Sequence, residues 1–313
     1  MPTRTDTREH AVRVRSMTLE AEGVLSVELE AVAGSLPGWE PGAHIDLAAP
    51  GAPTRQYSLC GDPAAGRYRI AVLRETTSRG GSRHVHEALR PGDVLSLRGP
   101  RNHFALETAP RTLFIAGGIG VTPLLPMVRR AAAEGARWRL LYLGSSRARM
   151  PFLDELATLG GDVVVVARDE AKRADLAQEV AAWPDALVYA CGPERMLVHL
   201  RELIPDEDRL RCEYFSAPAV EYEPGGTFAV RLARSGAELE VPPERSVLDV
   251  MREAGVDVLT DCEEGICGSC ETRVLEGEVE HRDFVLTTQE RAAHDCMMVC
   301  VSRAACPLLV LDA

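Results

Sequence analysis

The rhythm of apolar and polar positions changes twice along the 313 residues. Up to about residue 100, short alternating or apolar runs stand between Gly and Pro turns. They are Ala11–Val14, Val24–Glu30, His44–Leu47, Gln56–Leu59, Tyr68–Leu73 and Val94–Leu97. Alternation with period two gives a strand one buried face, and strands spaced this closely predict a small antiparallel barrel. One helix is expected at Arg83–Leu89, stopped by Pro91-Gly92.

From Arg111 the pattern becomes strand, helix, strand, helix. Apolar runs at Thr112–Ala116, Trp138–Gly144, Asp162–Ala167 and Ala186–Cys191 read as buried strands. Between and after them, Thr122–Glu134, Pro151–Leu159, Asp175–Ala182 and Glu194–Leu203 have helical spacing, and Arg211–Tyr214 reads as a last strand. Such alternation predicts a parallel sheet with crossover helices. Residues 216–226, rich in Pro and Gly, read as a linker. Beyond it, Thr227–Ala233 and Ala237–Pro243 suggest a hairpin, Val247–Glu253 a helix, and the cysteine-rich stretch that follows a loop. The division expected is a barrel domain at 1–106, an α/β domain at 107–215, the linker at 216–226 and a third domain at 227–313.

Composition narrows the class. A chain 46% hydrophobic and 26% charged is neither disordered nor collagen-like. No run of about 18 apolar residues occurs, so a membrane span is not expected. The opening stretch MPTRTDTREHAVRVRS lacks the apolar core of a secretory signal, and a cytoplasmic protein is the expectation. Net charge is −12, which argues against nucleic-acid binding. Residues 226–313 carry 17 acidic and 8 basic side chains, so most of the excess sits in the third domain, where it can steer a basic partner.

Six of the nine cysteines fall between 262 and 306. Disulfides are not expected without an export signal, so a metal or redox site is the better reading. Cys262-x4-Cys267-x2-Cys270, with Cys300 after 29 residues, is the plant-type ferredoxin spacing: a tight loop gives three thiolates and a distant element the fourth. Gly265 and Gly268 let backbone amides turn toward the sulfurs. Structural zinc more often comes as two C-x2-C-like pairs, absent here. Cys296 and Cys306 lie outside the pattern and read as core thiols.

Two further motifs point to nucleotides. Gly117-Gly118-Ile119-Gly120-Val121-Thr122-Pro123 follows a strand and opens a helix, so its backbone can approach phosphates. Pro123 stands where the full dinucleotide fingerprint has a third Gly, and it suits a first helical turn. Cys191-Gly192-Pro193-Glu194-Arg195-Met196 ends a later strand of the same sheet, and ligands bind beyond such carboxyl ends. A third strand end, Gly144-Ser145-Ser146-Arg147, can meet a ribose or a 2′-phosphate, or be a solvated loop. In the barrel, Arg55 can hold a phosphate, Tyr57 can cover a flat ring, Ser58 can hydrogen-bond it, and Gly80-Gly81-Ser82 precedes the expected helix. Read alone these are an ordinary strand and turn. They gain weight in company, because a flavin is the usual adaptor between a two-electron nicotinamide and a one-electron cluster.

With RQYSL, the GGS turn, GGIGVTP, CGPERM and C-x4-C-x2-C…C in this order, the chain resembles the phthalate dioxygenase reductase family, which includes vanillate demethylase reductases. The likeness covers essentially the whole chain, including the closing MVCVSRA…LVLD. It implies an FMN-binding antiparallel β-barrel, an α/β nicotinamide domain and a C-terminal β-grasp ferredoxin with a two-iron, two-sulfide cluster. By the same resemblance Arg55, Gln56, Tyr57 and Ser58 bind FMN, with Ser58 the catalytic residue near the reactive flavin nitrogen. Val72, Leu73 and Arg74 line the flavin edge; Gly80, Gly81 and Ser82 hold its phosphate; Thr122 touches both cofactors. Gly118, Gly120, Ser146, Arg147, Cys191, Gly192, Pro193 and Met196 bind the nicotinamide cofactor, and Phe215 and Ser216 approach the flavin. Cys262, Cys267, Cys270 and Cys300 ligate the irons.

The implied activity is a reductase passing electrons from NADH through FMN and the cluster to a terminal oxygenase of the Rieske type. The Ser145-Ser146-Arg147 loop resembles those of NADH- and NADPH-using relatives alike, so NADPH stays open and NADH is the reading adopted. Rival readings are a haem-thiolate monooxygenase as the partner, a flavin reductase that releases its product, and an iron–sulfur sensor with no nicotinamide site.

Overall fold

A computed structural model describes residues 8–75, 80–170, 173–220, 222 and 225–313. The chain divides into two compact units, one ending at Glu213 and the other beginning at Tyr214. Glu221, Glu223 and Pro224 of the expected linker lie outside the described residues.

The first unit opens with β1 (Glu9–Ala21), β2 (Val24–Ala31), β3 (His44–Ala48), β4 (Arg55–Ser58), β5 (Tyr68–Leu73), helix α1 (Gly81–Glu87) and β6 (Val94–Arg101). The strands form an antiparallel sheet in the order β4-β3-β6-β1-β2-β5. Its end strands come together where Cys60 N–H donates to Arg69 O at 2.8 Å, which gives the barrel form. Inward positions Val12, Val14, Val27, Leu29, Ile45, Leu47, Ile70 and Leu97 are buried, as period-two alternation requires. β1 is far longer than the four residues expected from the sequence. A shift of register between Val14 and Ser16 interrupts the alternation, so the strand continues past the point where its pattern breaks. Helix α1 starts two residues earlier than expected, at Gly81.

The same unit continues with β7 (Arg111–Gly117), α2 (Val121–Ala133), β8 (Arg137–Gly144), α3 (Leu153–Ala157), β9 (Asp162–Ala167), α4 (Leu176–Ala182), β10 (Leu187–Cys191), α5 (Glu194–Leu203) and β11 (Leu210–Glu213). These strands make a parallel sheet in the order β11-β10-β7-β8-β9. The central strand β7 is covered on both faces, with Leu113, Phe114, Ile115 and Ala116 all fully buried. Helix α3 is shorter than the expected Pro151–Leu159, because Phe152 sits in the left-handed region at φ 64° and starts the helix late. Inter-sheet polar links include Arg69 and Arg129, both paired with Glu155, and Tyr189 Oη, which donates to Ala105 O at 2.9 Å.

The second unit holds β12 (Phe228–Leu232), β13 (Glu238–Val241), α6 (Val247–Glu253), β14 (Glu271–Glu276), β15 (Val279–Glu280), α7 (Thr288–Ala293), β16 (Cys296–Met298), β17 (Arg303–Ala304) and β18 (Leu308–Leu311). The main sheet runs β13-β12-β18-β14-β16, with β12 and β18 parallel. Helix α6 begins in a capping box between Ser246 and Asp249 and buries Val247, Leu248, Val250 and Met251. This is the β-grasp arrangement, and the expected hairpin is β12–β13. Among the described residues no helix is long and apolar enough to cross a membrane.

A buried ion pair pins the barrel next to β4. Arg101 Nη2 donates to Asp46 Oδ1 at 2.6 Å, with both side chains almost wholly enclosed. Burial acts to raise the Asp46 carboxyl, but the hydrogen bond and charge of Arg101, helped by the Gln56 amide, hold it below its ordinary value. Asp46→Ala strands a buried guanidinium and is expected to cost roughly 3–5 kcal/mol at pH 7. Because the folded-state carboxyl is depressed, its contribution is present above the ordinary carboxylate range and fades as pH falls through the depressed value. Urea unfolding at pH 7 and at pH 3 checks this; a loss of under about 1 kcal/mol at pH 7 would contradict it.

Candidate functional site

The four thiols of the ferredoxin-type spacing converge within the second unit. The loop 262–270 runs from the turn after α6 into β14, and Cys300 stands two residues beyond the end of β16. Cys270 Sγ donates to Cys300 Sγ at 3.2 Å, and Cys267 gives a hydrogen bond to Cys262. Cys267, Cys270 and Cys300 are buried, and Cys262 is half-buried. Gly265 and Gly268 take φ of 71° and 70°, which only glycine adopts at little cost. At Gly265 a Cβ would also stand 2.7 Å from Val301 Cγ2.

Polar hydrogens face the sulfurs. Glu264 N–H donates to Cys262 Sγ at 3.3 Å, and Ser269 Oγ lies 3.1 Å from Cys267 Sγ. The hydrogen bond from Cys267, aided by the Glu264 and Ile266 amides, outweighs burial and brings the Cys262 thiol down to about 6. The hydrogen bond from Cys270, with help from the Gly265 amide, likewise lowers Cys300. The two donors, Cys267 and Cys270, are pushed up. Each pair is joined by one S–H···S hydrogen bond, in the place where a metal would displace the proton. Among the described residues no three His, Cys, Asp or Glu side chains group as they would around a single ion. Two thiols per metal, in two neighbouring pairs, is the donor set a two-iron cluster needs, and the residues present fit it. Cys296 in β16 and Cys306 stand apart; Cys306 Sγ donates to Leu308 O at 3.1 Å.

In the first unit, the two glycine segments at the carboxyl ends of β7 and β10 lie back to back. A Cβ on Gly120 would be 2.2 Å from Cys191 O, and one on Gly117 would be 2.5 Å from Pro193 Cδ. No larger residue fits either place without moving the strand ends apart. Gly118 has φ 55° and open space around it. The Thr122 hydroxyl is buried and donates to Ile119 O at 2.9 Å, closing its own turn. Cys191 is fully buried, which drives its thiol well up, and Met196 is buried beside Gly192. Ser146 starts a short turn beyond β8, and Arg147 follows it on the surface.

On the barrel side, Arg55–Ser58 is the edge strand β4, paired with β3. The Arg55 side chain crosses over Gly81, where a Cβ would meet its Cγ at 2.7 Å. Arg55 thus lies over the start of α1, beside Ser82, whose Oγ accepts from Glu75 N–H at 3.3 Å. Gly80 has φ 105°. This is a cradle suited to the phosphate end of a mononucleotide. Burial pushes the Tyr57 hydroxyl up to about 12. Gln56 instead bonds Asp46 at 3.0 Å, within the barrel's own ion-pair network. Val72 and Leu73 pair with Leu25 and Val24, and Arg74 joins Glu87 of α1 at 2.6 Å. Phe215 and Ser216 are exposed and belong to the second unit.

One residue absent from the sequence reading stands out. Ser58 Oγ donates to Glu213 Oε2 at 3.0 Å, joining the edge strand of the barrel to the last strand of the parallel sheet. Burial lifts the Glu213 carboxyl to about 8, against the lowering effect of Ser58. The available sequence signal was an acid at the carboxyl end of a strand in a nucleotide-type sheet.

Comparison with known proteins agrees with this geometry. Residues 230–305 match the model of the 2Fe-2S iron-sulfur cluster binding domain. The chain is 44% identical over 309 residues to phenoxybenzoate dioxygenase subunit beta of Ectopseudomonas oleovorans, covering 96% of this chain and 97% of that one. It is similar in structure to phthalate dioxygenase reductase, described as a modular structure for electron transfer from pyridine nucleotides to [2Fe-2S], with TM-score 0.68, 37% identity and coverage of 97% and 98%. An intact type IV self-sufficient cytochrome P450 monooxygenase gives TM-score 0.92 at 41% identity; the match spans all of this chain but only 43% of that one. The fold and the thiol loop thus define an iron–sulfur oxidoreductase. The chain belongs to the phthalate dioxygenase reductase family.

The raised Glu213 carboxyl has a measurable consequence. Its folded value of about 8 lies above the ordinary carboxylate value, so its contribution to stability is complete at acid pH and is lost as pH rises toward 8. Glu213→Gln removes that loss. The melting temperature of the variant minus that of the parent is expected to grow from pH 5 to pH 8, equivalent to about 1.4 kcal/mol per pH unit at most. A difference independent of pH would contradict the assignment.

Proposed function

We propose that the protein is the reductase component of an oxygenase system, oxidising NADH and delivering single electrons to a terminal oxygenase. The observation that carries this reading is the pairing of Cys262 with Cys267 and of Cys270 with Cys300, in a chain that also places two glycine segments at the carboxyl ends of neighbouring strands of a parallel sheet. FMN, when bound, supplies the capacity to take a hydride from reduced nicotinamide and give up electrons singly, and the two-iron cluster supplies a one-electron site.

The domain division that goes with this is 1–106 for the flavin, 107–215 for the nicotinamide, 216–226 as linker and 227–313 for the cluster. Arg55 and Ser82 neutralise and bond the FMN phosphate, and Gly81 leaves the room that Arg55 needs. Tyr57 stays a neutral phenol against the ring system. Ser58 gives its hydroxyl hydrogen to Glu213, which leaves the hydroxyl oxygen as an acceptor at the reacting edge, and Glu213 keeps its own proton at neutral pH and so puts no carboxylate charge there. Gly118 and Gly120 admit the dinucleotide phosphates, with Cys191, Gly192, Pro193 and Met196 forming the opposite wall. No side chain has to abstract a proton for hydride transfer; the residues position the reactants and exclude water. Cys262, Cys267, Cys270 and Cys300 hold the irons, and the facing amides stabilise the added negative charge.

The partner docks by charge. The third domain carries 17 acidic against 8 basic residues, so a basic patch is its complement. A Rieske-type aromatic oxygenase or demethylase is the partner favoured by the family, acting in the cytoplasm. The second reading, a haem-thiolate monooxygenase, is favoured by the likeness to the self-sufficient cytochrome P450.

Two outcomes are expected. Cys267→Ser abolishes electron delivery to the partner while NADH oxidation by a small dye persists within about twofold; equal loss of both, in folded protein retaining FMN, sinks the serial path. Partner reduction is expected to slow severalfold between about 50 mM and 500 mM salt, read by stopped-flow absorbance. A rate indifferent to ionic strength would remove the docking picture.

A further inference from the structure

Glu155 of α3 stands between two arginines that come from different halves of the first unit. Arg69, on β5 of the barrel, has its Nη2 2.9 Å from Glu155 Oε2. Arg129, on α2 beside the parallel sheet, pairs through Nη2 with Glu155 Oε1. Both guanidiniums also donate to the backbone just beyond β4. Arg69 Nη2 reaches Cys60 O at 3.0 Å, and Arg129 Nη1 reaches Cys60 O at 3.1 Å and Gly61 O at 2.8 Å. One carbonyl thus accepts from two like charges, and one carboxylate balances both. The three side chains are 20–28% exposed, so solvent screens them only in part.

What this cluster joins gives it meaning. Cys60 lies two residues beyond Ser58, the last residue of the strand that carries Arg55 and Tyr57. Arg129 lies about two turns into the helix that opens at the Gly118–Gly120 turn. A single side chain therefore ties the helix behind one candidate cofactor segment to the strand end behind the other. The remaining contact between the two halves is apolar: Val24, Cys60 and Ala71 share a core with Leu124, Val128 and Phe152. Apolar burial is non-directional and tolerates small slides, whereas forked guanidinium bonds fix one register. Burial, and then the charge of Arg69, lower Arg129 from its ordinary value, which makes Glu155 the counter-charge the pair requires. Phe152 serves the same cluster. It is buried, takes φ 64°, and puts its ring 4.9 Å from the Arg69 guanidinium at the start of α3. A left-handed phenylalanine is unfavourable and persists where its surroundings demand it.

We propose that Arg129, Glu155 and Arg69 are positioning residues for hydride transfer: together they clasp the glycine-turn helix to the flavin strand and so set the reach from nicotinamide to flavin. The proposal rests on the flavin and nicotinamide reading given above. The transfer itself is unchanged: two electrons and one proton leave reduced nicotinamide as a hydride, giving the oxidised coenzyme and the reduced flavin. The clasp touches neither reactant. Its effect is on distance and alignment, to which such a transfer is steeply sensitive. Ion pairs of this kind add little net stability, but they can select one arrangement among several that apolar packing allows.

The test is anaerobic stopped-flow reduction of the FMN- and cluster-loaded protein by NADH, with the rate expressed per bound FMN. In Glu155→Gln and in Arg129→Met the limiting rate of flavin bleaching is expected to fall about tenfold, while the dissociation constant for NADH moves by less than about threefold. The long-wavelength charge-transfer absorbance of stacked reduced nicotinamide and flavin is expected to weaken in step. Arg129→Lys is expected to lose only about threefold, because one ammonium reaches the carbonyls or the carboxylate but lacks the fork that serves both. A limiting rate and charge-transfer band equal to the parent's in folded Arg129→Met overturn the clasp, as does a loss confined to NADH affinity. Should Glu155→Gln and Arg129→Met fail to fold, Arg129→Lys decides alone, and a parental rate in it overturns the proposal. Parent protein whose flavin NADH does not bleach at all overturns the nicotinamide reading itself, and the clasp with it.

Discussion

Sulfur atoms brought this close together repel once they ionise, and the loop that carries three of them is built against that repulsion. The loop 262–270 must bend sharply enough to aim three thiols inward, which is why glycines occupy positions 265 and 268 at positive φ. It must also present amide hydrogens to the sulfurs, as those of Glu264 and Ile266 do for Cys262 and that of Gly265 does for Cys300. The fourth thiol has to arrive from elsewhere, and the strands flanking the loop deliver it. β14 leaves Cys270 and pairs antiparallel with β16, which ends two residues before Cys300. The hydrophobic core under this sheet, with Met297, Met298 and Val299 fully buried, holds the approach of the fourth thiol fixed. A site of like charges thus depends on apolar packing for its geometry and on backbone dipoles for its charge balance.

The first unit solves a different problem by similar means. Two strand ends of its parallel sheet touch through glycine. Gly117 and Gly120 sit against Cys191, Gly192 and Pro193 with no room for a side chain. The parallel sheet places these segments together because β7 and β10 are neighbours, although they are separated by two strands in sequence. The barrel then adds Arg55, Tyr57 and Ser58 from its edge strand, and Glu213 ties that edge to the sheet through Ser58.

Much of this was legible in the sequence where chemistry is local. The thiol spacing, the glycine turn after a buried apolar strand and the strand–helix alternation all describe short stretches whose meaning needs little context. Features resting on distant partners were not legible. Glu213 has significance only because Ser58 lies across from it, 155 residues away in the chain. Likewise the hydrogen bond of Gln56 to Asp46 joins it to an ion pair whose other member, Arg101, comes from a strand far along the chain. The length of β1 was hidden for a local reason, since the register shift after Val14 inverts the alternation on which the reading depended. Helix α7 carries a local sign of its own, the Thr287…Glu290 capping box at its start.

The conversion of paired electrons into single ones is tested most directly by anaerobic titration of the loaded protein with NADH, followed by optical and electron paramagnetic resonance spectra together. Bleaching of the flavin accompanied by the signal of a one-electron-reduced two-iron cluster, both absent when FMN is removed and restored when it is returned, is the result predicted. Flavin bleaching with the cluster left oxidised, or protein holding zinc and no sulfide, is the result that contradicts it.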